Sequence, residues 1–281
     1  MRTKTLLLAA AAIAVGTAIS MAQTYSQNIV GYVNMNCNAG FTTLANPLDG
    51  MNSDGTTNNS VTNILVNVLN NTIGNGPLDN SQLYVWSGTS YHVYLFDANP
   101  ADAAAQSQAF TGITDSFGNF VPAPTIGNGI GFYLRYSQIT GFPTNYTTTV
   151  VGTVRGVGTA GITNTVTIAA SPVTTLVASG SPVAGGLLTD LQLTNALAQG
   201  LLDGDQIQIP NVNASGNIQG YKIYLFDSSP ADAAAENQVF TGITDSNGNF
   251  VPQPTILSGG SFLFQNFNNA AVPWTQTIPL Q

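Results

Sequence analysis

The chain has 281 residues, with five Lys and Arg against thirteen Asp and Glu and a formal net charge of −8. So few cations exclude nucleic acid as a partner, because phosphate binding needs several Lys or Arg to displace counterions, and they disfavour anionic membrane surfaces for the same reason. Hydrophobic residues make up 43% of the chain, enough to bury a core, so the scarcity of charge does not signal disorder.

Residues 1–22 open with Arg2 and Lys4, continue as an apolar run and end on the small-x-small triplet Ser20-Met21-Ala22. This is the layout of a secretory signal peptide, and it predicts a secreted or cell-envelope protein (periplasm, outer surface or extracellular space) whose mature chain begins at Gln23. The run is short for a bilayer span and no later stretch is long and apolar enough, so no membrane insertion is expected. Cleavage would leave Arg135, Arg155 and Lys222 as the only cations. The single cysteine, Cys37, excludes a disulfide framework within the chain. It has no basic neighbour in sequence to make it a reactive thiolate, so it reads as a buried or idle thiol.

Further along, "SVTNILVNVL" has an apolar helical face with Ser60 or Thr62 as cap. The runs "QLYVW", "YHVYLF", "GFYLRY", "YTTTVVGTV" and "NTVTIAA" are short, rich in β-branched and aromatic residues, and bounded by Gly, Asn, Ser and Pro, so they predict strands. "WSGTSYHVYLF" reads as a hairpin turning at Ser87-Gly88-Thr89-Ser90. "PADAAA" places Pro100 first in a helical turn, behind Asn99 as cap and with Asp102 near the positive end of the helix dipole. "TDSFGNF" is a turn signal, in which Asp115 folds back on the backbone and Gly118 supplies positive φ.

The chain then repeats itself. Residues 94–126 and 224–256 are the same 33-residue segment with seven differences. Around it, "NIVGYVN" answers "TVVGTVR", "GFTTLANPL" answers "PVTTLVASG", "PLDNSQLYV" answers "LLDGDQIQI", and "GFYLRY" answers "SFLFQN", in the same order. These matches predict a mainly β protein of two tandem duplicated β-sandwich or barrel-like domains, 24–147 and 148–281, each with one or two short helical turns.

The phrases "GFTTLANPLD", "LYVWSGTSYHVYLFD", "GNGIGFYLRY" and "TTTVVGTVR" resemble a module of uncharacterised secreted proteins of Verrucomicrobia and related bacteria, whose mature parts open with a phrase similar to "SQNIVGYVNM". The resemblance covers most of residues 28–155 and is weaker in the second half, where "SGGSFLF" and "LVASGSP" depart from it. It implies secretion and a compact β-rich module. It implies no catalytic residues.

Site chemistry is sparse. His92 is the only histidine and its repeat counterpart is Lys222, so a catalytic triad is possible at most once, and a strand histidine beside a turn is the simpler reading. Zinc lacks ligands. The repeated aspartates Asp97/Asp227, Asp102/Asp232 and Asp115/Asp245 are the material for a carboxylate-dependent glycan hydrolase, yet each already has a strand-end, helix-turn or hairpin duty. Calcium is a candidate ligand at Asp115 and Asn119, at Asp203 and Asp205, and at Asp245, Asn247 and Asn249, although the full acidic spacing of an EF-hand is missing. Tyr84, Trp86, Tyr91 and Tyr94 cluster around one hairpin as a candidate platform for stacking sugars, with core packing as the competing use. No other cofactor is implied. The reading is a secreted, non-catalytic envelope or extracellular matrix protein, structural, adhesive or glycan-binding, with polysaccharide or other envelope proteins as partners. The hydrolase is the alternative, and an outer-membrane β-barrel a lower one.

Overall fold

Strand-forming runs separated by turn residues dominate the chain, and the protein folds as a mainly antiparallel β structure. A computed structural model describes residues 30–52, 54, 56–65, 78–87, 90–137, 145–154, 163–171, 173–180, 182–198, 201–213 and 218–277. The expected signal segment 1–22, the latter part of the "SVTNILVNVL" helix, Gly88 and Thr89 at the hairpin tip, and Arg155 lie outside the described residues.

Five strands of the first half form one sheet. They are β2 (Gly40–Ala45), β3 (Gln82–Trp86), β4 (Tyr91–Phe96), β5 (Ile113–Asp115) and β6 (Gly131–Tyr136), in the order β2-β6-β3-β4-β5. Five strands of the second half form another: β9 (Thr174–Ala178), β11 (Gln206–Val212), β12 (Ile218–Phe226), β13 (Ile243–Asp245) and β15 (Ser261–Gln265), in the order β9-β15-β11-β12-β13. Their registers match too. Gln82 lies opposite Leu95 and Arg135, while Gln206 lies opposite Leu225 and Gln265. Two-stranded ribbons join β1 (Val30–Asn38) to β7 (Asn145–Thr153) and β8 (Thr163–Ile168) to β16 (Val272–Thr277), and a short pair joins β10 (Gly185–Gly186) to β14 (Thr255–Ile256).

Two expected correspondences change. "NIVGYVN" and "TVVGTVR" are not equivalent strands but partners in one ribbon, from Val30 opposite Thr153 to Asn38 opposite Asn145. Partner strands of one ribbon share an alternation, because both put every second residue on the same core, and that likeness mimics a repeat. The expected boundary between 147 and 148 falls inside β7. The "TTL" match is also off by one. Ala45 lies opposite Gly131 and Ala178 opposite Ser261, so Leu44 corresponds to Val177 rather than to Leu176. One residue of slip on a strand reverses its face. Leu44 and Val177 enter the cores, and Leu176 points away.

Each sheet packs one face on its own core. Leu83, Phe96, Ile113, Phe132 and Leu134 form the first core with Val33, Met35 and Cys37 of β1 and Val150 of β7. Ile207, Phe226, Ile243, Phe262 and Phe264 form the second with Val166, Ile168, Val272 and Trp274 of the other ribbon. The helical segments are short: α1 (Val61–Ile64), α2 (Pro100–Ala105), α3 (Thr194–Ala198) and α4 (Pro230–Ala235). α1 begins after Ser60, whose side chain makes no capping bond. In α2 the Asn99 side chain accepts from Ala101 N at 3.1 Å, and in α4 Ser229 Oγ accepts from Asp232 N at 3.3 Å. The halves meet through reciprocal backbone bonds, Ala45 N to Gly259 O at 2.8 Å and Ala178 N to Gly129 O at 3.0 Å.

Cys37 is free and fully buried, and burial pushes its thiol up to about 12. A thiolate-specific reagent is expected to leave the native protein unlabelled and to modify Cys37 only after denaturation. Labelling of native protein at neutral pH would contradict this placement.

Candidate functional site

The face of the first five-stranded sheet that points away from its core carries a cluster of aromatic rings. Strand alternation puts Gln82, Tyr84 and Trp86 of β3, Tyr91 of β4, and Tyr133 and Arg135 of β6 on that face. Trp86 and Tyr91 are cross-strand partners, with ring centroids 5.0 Å apart at 61°. Tyr91 meets Tyr133 edge-on at 5.6 Å, and Phe41 meets Tyr84 at 5.7 Å. Three of the four expected stacking residues therefore share one surface. Tyr94 does not join them, because it lies two residues from Phe96 and packs on the first core.

The second sheet approaches this surface. Tyr133, Leu176 and Leu263 are buried together, with Phe41, Tyr84, Tyr91 and Ile218 packed around them. The side chains of Tyr91 and Tyr221 lie beside that of Tyr133, close enough to act on its hydroxyl. Burial, reinforced by these two neighbours, pushes the Tyr133 hydroxyl far above the usual phenol range, and burial raises Tyr91 as well. Trp86 stays half-buried and Tyr221 exposed at the rim. Polar groups on the same faces are amides, hydroxyls (Thr43, Ser261 and the tyrosines) and one guanidinium. Gln82 Oε1 accepts from Tyr84 OH at 2.7 Å and from Arg135 Nη1 at 3.3 Å, and Gln208 Nε2 donates to Gln265 Oε1 at 3.0 Å. Rings and amides without a carboxylate suit a neutral, hydroxyl-rich ligand and provide no acid–base pair. Tyr133, Tyr221, Phe41 and Arg135 escaped the sequence reading, although the repeat offset that pairs Tyr94 with Tyr224 also pairs Tyr91 with Tyr221.

The expected calcium residues fall in three separate places; Asp115 and Asp245 are engaged in their own turns, while Asp203 and Asp205 hold distant loops. Asp115 Oδ1 accepts from Phe117 N and Asn119 N, both at 2.9 Å, and Asn119 Nδ2 reaches Asp115 Oδ2 at 3.0 Å. Asp245 repeats this with Asn247 N at 2.8 Å and Asn249 N at 3.0 Å. Hydrogen bonds, from Asn119 to Asp115 and from Asn247 and Asn249 to Asp245, hold both carboxyls below the usual range. Asp203 Oδ1 accepts from Ser228 N at 2.8 Å. Asp205 is buried, accepts from Phe267 N at 2.7 Å, and is raised by that burial. Among the described residues no three His, Cys, Asp or Glu side chains gather as a metal site. Calcium would have to compete for oxygens already committed to backbone N–H groups.

His92 lies exposed on β4. Asp97 is raised by burial, with Asp102 and Asp79 adding to the rise. Its Oδ1 accepts from Asn99 N at 2.9 Å and Asp79 Oδ1 from Ala98 N at 3.0 Å, so this group organises the entry to α2. Among the described residues no helix is long and apolar enough to cross a membrane, and the strands form open sheets of five and two.

The fold and this surface define a mainly antiparallel β protein with an aromatic, amide-lined face. No family model, curated protein or solved structure matches the chain.

Proposed function

We propose that the chain is an exported, non-catalytic envelope or matrix protein, built from two copies of one β-sandwich-like module, that binds neutral glycan through the face around Trp86. The equal strand order and register of the two five-stranded sheets support the duplication, with the first copy ending in β7 and the second beginning at β8. Export rests on the signal-like residues 1–22 and on the resemblance to secreted modules. Glycan binding rests on one observation: Tyr84, Trp86 and Tyr91 share a partly open face with Gln82 and Arg135, and no strand position on that face is acidic.

Affinity electrophoresis through gels containing dextran, mannan or xylan tests this reading. At least one gel is expected to retard the protein. Trp86→Ala is expected to weaken that retardation by roughly tenfold or more, as removal of an aromatic anchor does, with the thermal midpoint nearly unchanged. Release of reducing ends from the same polysaccharides would instead favour the hydrolase. Equal mobility in every gel would remove the glycan reading.

A further inference from the structure

The repeated 33-residue segment keeps its surface as well as its interior. Fifteen of its positions are exposed in both copies, and eleven of those carry the same residue. In the strands around it, only five of eighteen register-matched positions coincide: Gln82/Gln206, Tyr91/Tyr221, Thr42/Thr175, Ala45/Ala178 and Phe132/Phe262. Exposed substitutions are usually near neutral for stability, whereas core substitutions are not. Folding alone would therefore hold the interior and release the surface.

Some of the eleven have local duties. Pro100 and Pro230 open the helical turns, and Gly118 and Gly248 both adopt φ +85°. Phe110 and Phe240 have no such need to be exposed, yet they are 44% and 40% exposed. Each ring tilts against a neighbour, Phe120 at 5.7 Å or Phe250 at 5.6 Å. Each loop is held in the same way, with Gln108 Oε1 accepting from Phe120 N and Gln238 Oε1 from Phe250 N, both at 2.6 Å. Two rings are thus presented in one geometry, ordered before any ligand arrives.

We propose that Phe110 and Phe240 are two equivalent contact points for a single repeating neutral polysaccharide, in addition to the face around Trp86. This rests on the glycan-binding reading above. Two equal sites on one chain suit a ligand that presents the same group repeatedly, and linkage then raises the apparent affinity without new contacts. Each copy of the segment carries aspartates and no Lys or Arg, so docking one chain's segment on another's would oppose like charges. An uncharged polymer meets no such repulsion, and an exposed ring offers its face to the C–H side of a sugar.

The same dextran, mannan and xylan gels, run with Trp86→Ala, Phe110→Ala, Phe240→Ala and the Phe110→Ala/Phe240→Ala double variant, test the proposal. Each single Phe variant is expected to lose apparent affinity for the long polymer, on the order of 100-fold, with a further drop in the double variant. Calorimetry with short oligosaccharides of the retarding polymer is expected to show the Phe-dependent stoichiometry fall from two to one in each single variant. Thermal midpoints near wild type keep the comparison free of unfolding. Loss only in Trp86→Ala, with the Phe variants at wild-type mobility, overturns this inference and leaves the glycan reading standing. Loss only in the Phe variants supports it and displaces the Trp86 face. Retardation by none of the gels overturns both. Phe-dependent capture on polylysine beads instead of the gels would assign the sites to a cationic protein and overturn the polysaccharide.

Discussion

Trp274→Ala is expected to lower the unfolding free energy by about 3–5 kcal/mol, and the loss should register in the first half of the chain as well as in the second. Trp274 is 1% exposed and lies at 5.9 Å from Phe262 in the second core. Its Nε1 donates to Leu191 O at 2.7 Å, so truncation removes a large ring and a buried hydrogen bond together. The carbonyl is not orphaned, because Gln276 Nε2 also donates to it at 3.1 Å. Trp274→Phe should therefore cost less, roughly 1–2 kcal/mol. The chain has only two tryptophans, so in either variant Trp86 is the sole remaining indole and reports on the first sheet. If the reciprocal bonds through Ala45 and Ala178 couple the halves, urea unfolding followed by Trp86 fluorescence shifts by the full amount. A Trp86 transition that stays at its wild-type midpoint would mean that the halves unfold independently.

The repeated segment was legible because its grammar is local. An N-cap, a proline, an aspartate turn and a glycine at positive φ specify strand, helical turn and hairpin with few outside contacts, and both copies fold in that way. Its burial was less legible. Phe96, Ile113 and Ile126 are buried with their counterparts as an apolar set should be, but Phe110 and Phe240 are exposed, and Ala98, which gives way to Ser228, is buried. Pattern alone cannot tell a ring that faces a core from one that leans on its neighbour in a loop. β16 and α3 went unread, because "VPWTQT" carries an internal proline and "TNALA" is a single turn. Proline at 273 is tolerated in a ribbon strand with one partner. The aromatic face was half legible. Alternation separates Tyr84, Trp86 and Tyr91 from Tyr94 only once register is known, and Tyr221 arrives from a strand far along the chain.

Gly131→Ala is expected to loosen the contact between the two sheets without emptying either core. A Cβ at this position would lie 2.6 Å from Leu176 Cγ, 2.8 Å from Ser261 Cβ and 3.0 Å from Leu176 O. Both neighbouring residues belong to paired strands, and one of the atoms is backbone, so the collision is relieved by separating β6 from β9 and β15. Overpacking of this kind costs typically 1–3 kcal/mol. Tyr133 follows two residues later on the same face, where it is buried and has Tyr91 and Tyr221 as neighbours. Burial is the largest cause of its raised value, so water admitted by the separation should bring it down toward an ordinary phenol. The consequence for stability has a definite sign. Below about pH 10 the hydroxyl is protonated in both the folded and unfolded chains, and it adds no pH dependence. Above that, the unfolded chain ionises first, so the wild type loses stability as pH rises toward the folded value. In Gly131→Ala the two values lie closer, so the protein starts from a lower stability at neutral pH but declines less steeply in alkali. Tyrosinate absorbance and urea midpoints measured from neutral pH into alkali would show both effects. A variant with the full stability loss and an unchanged tyrosine titration would mean that the strain is absorbed inside the first sheet, leaving the contact between the sheets intact.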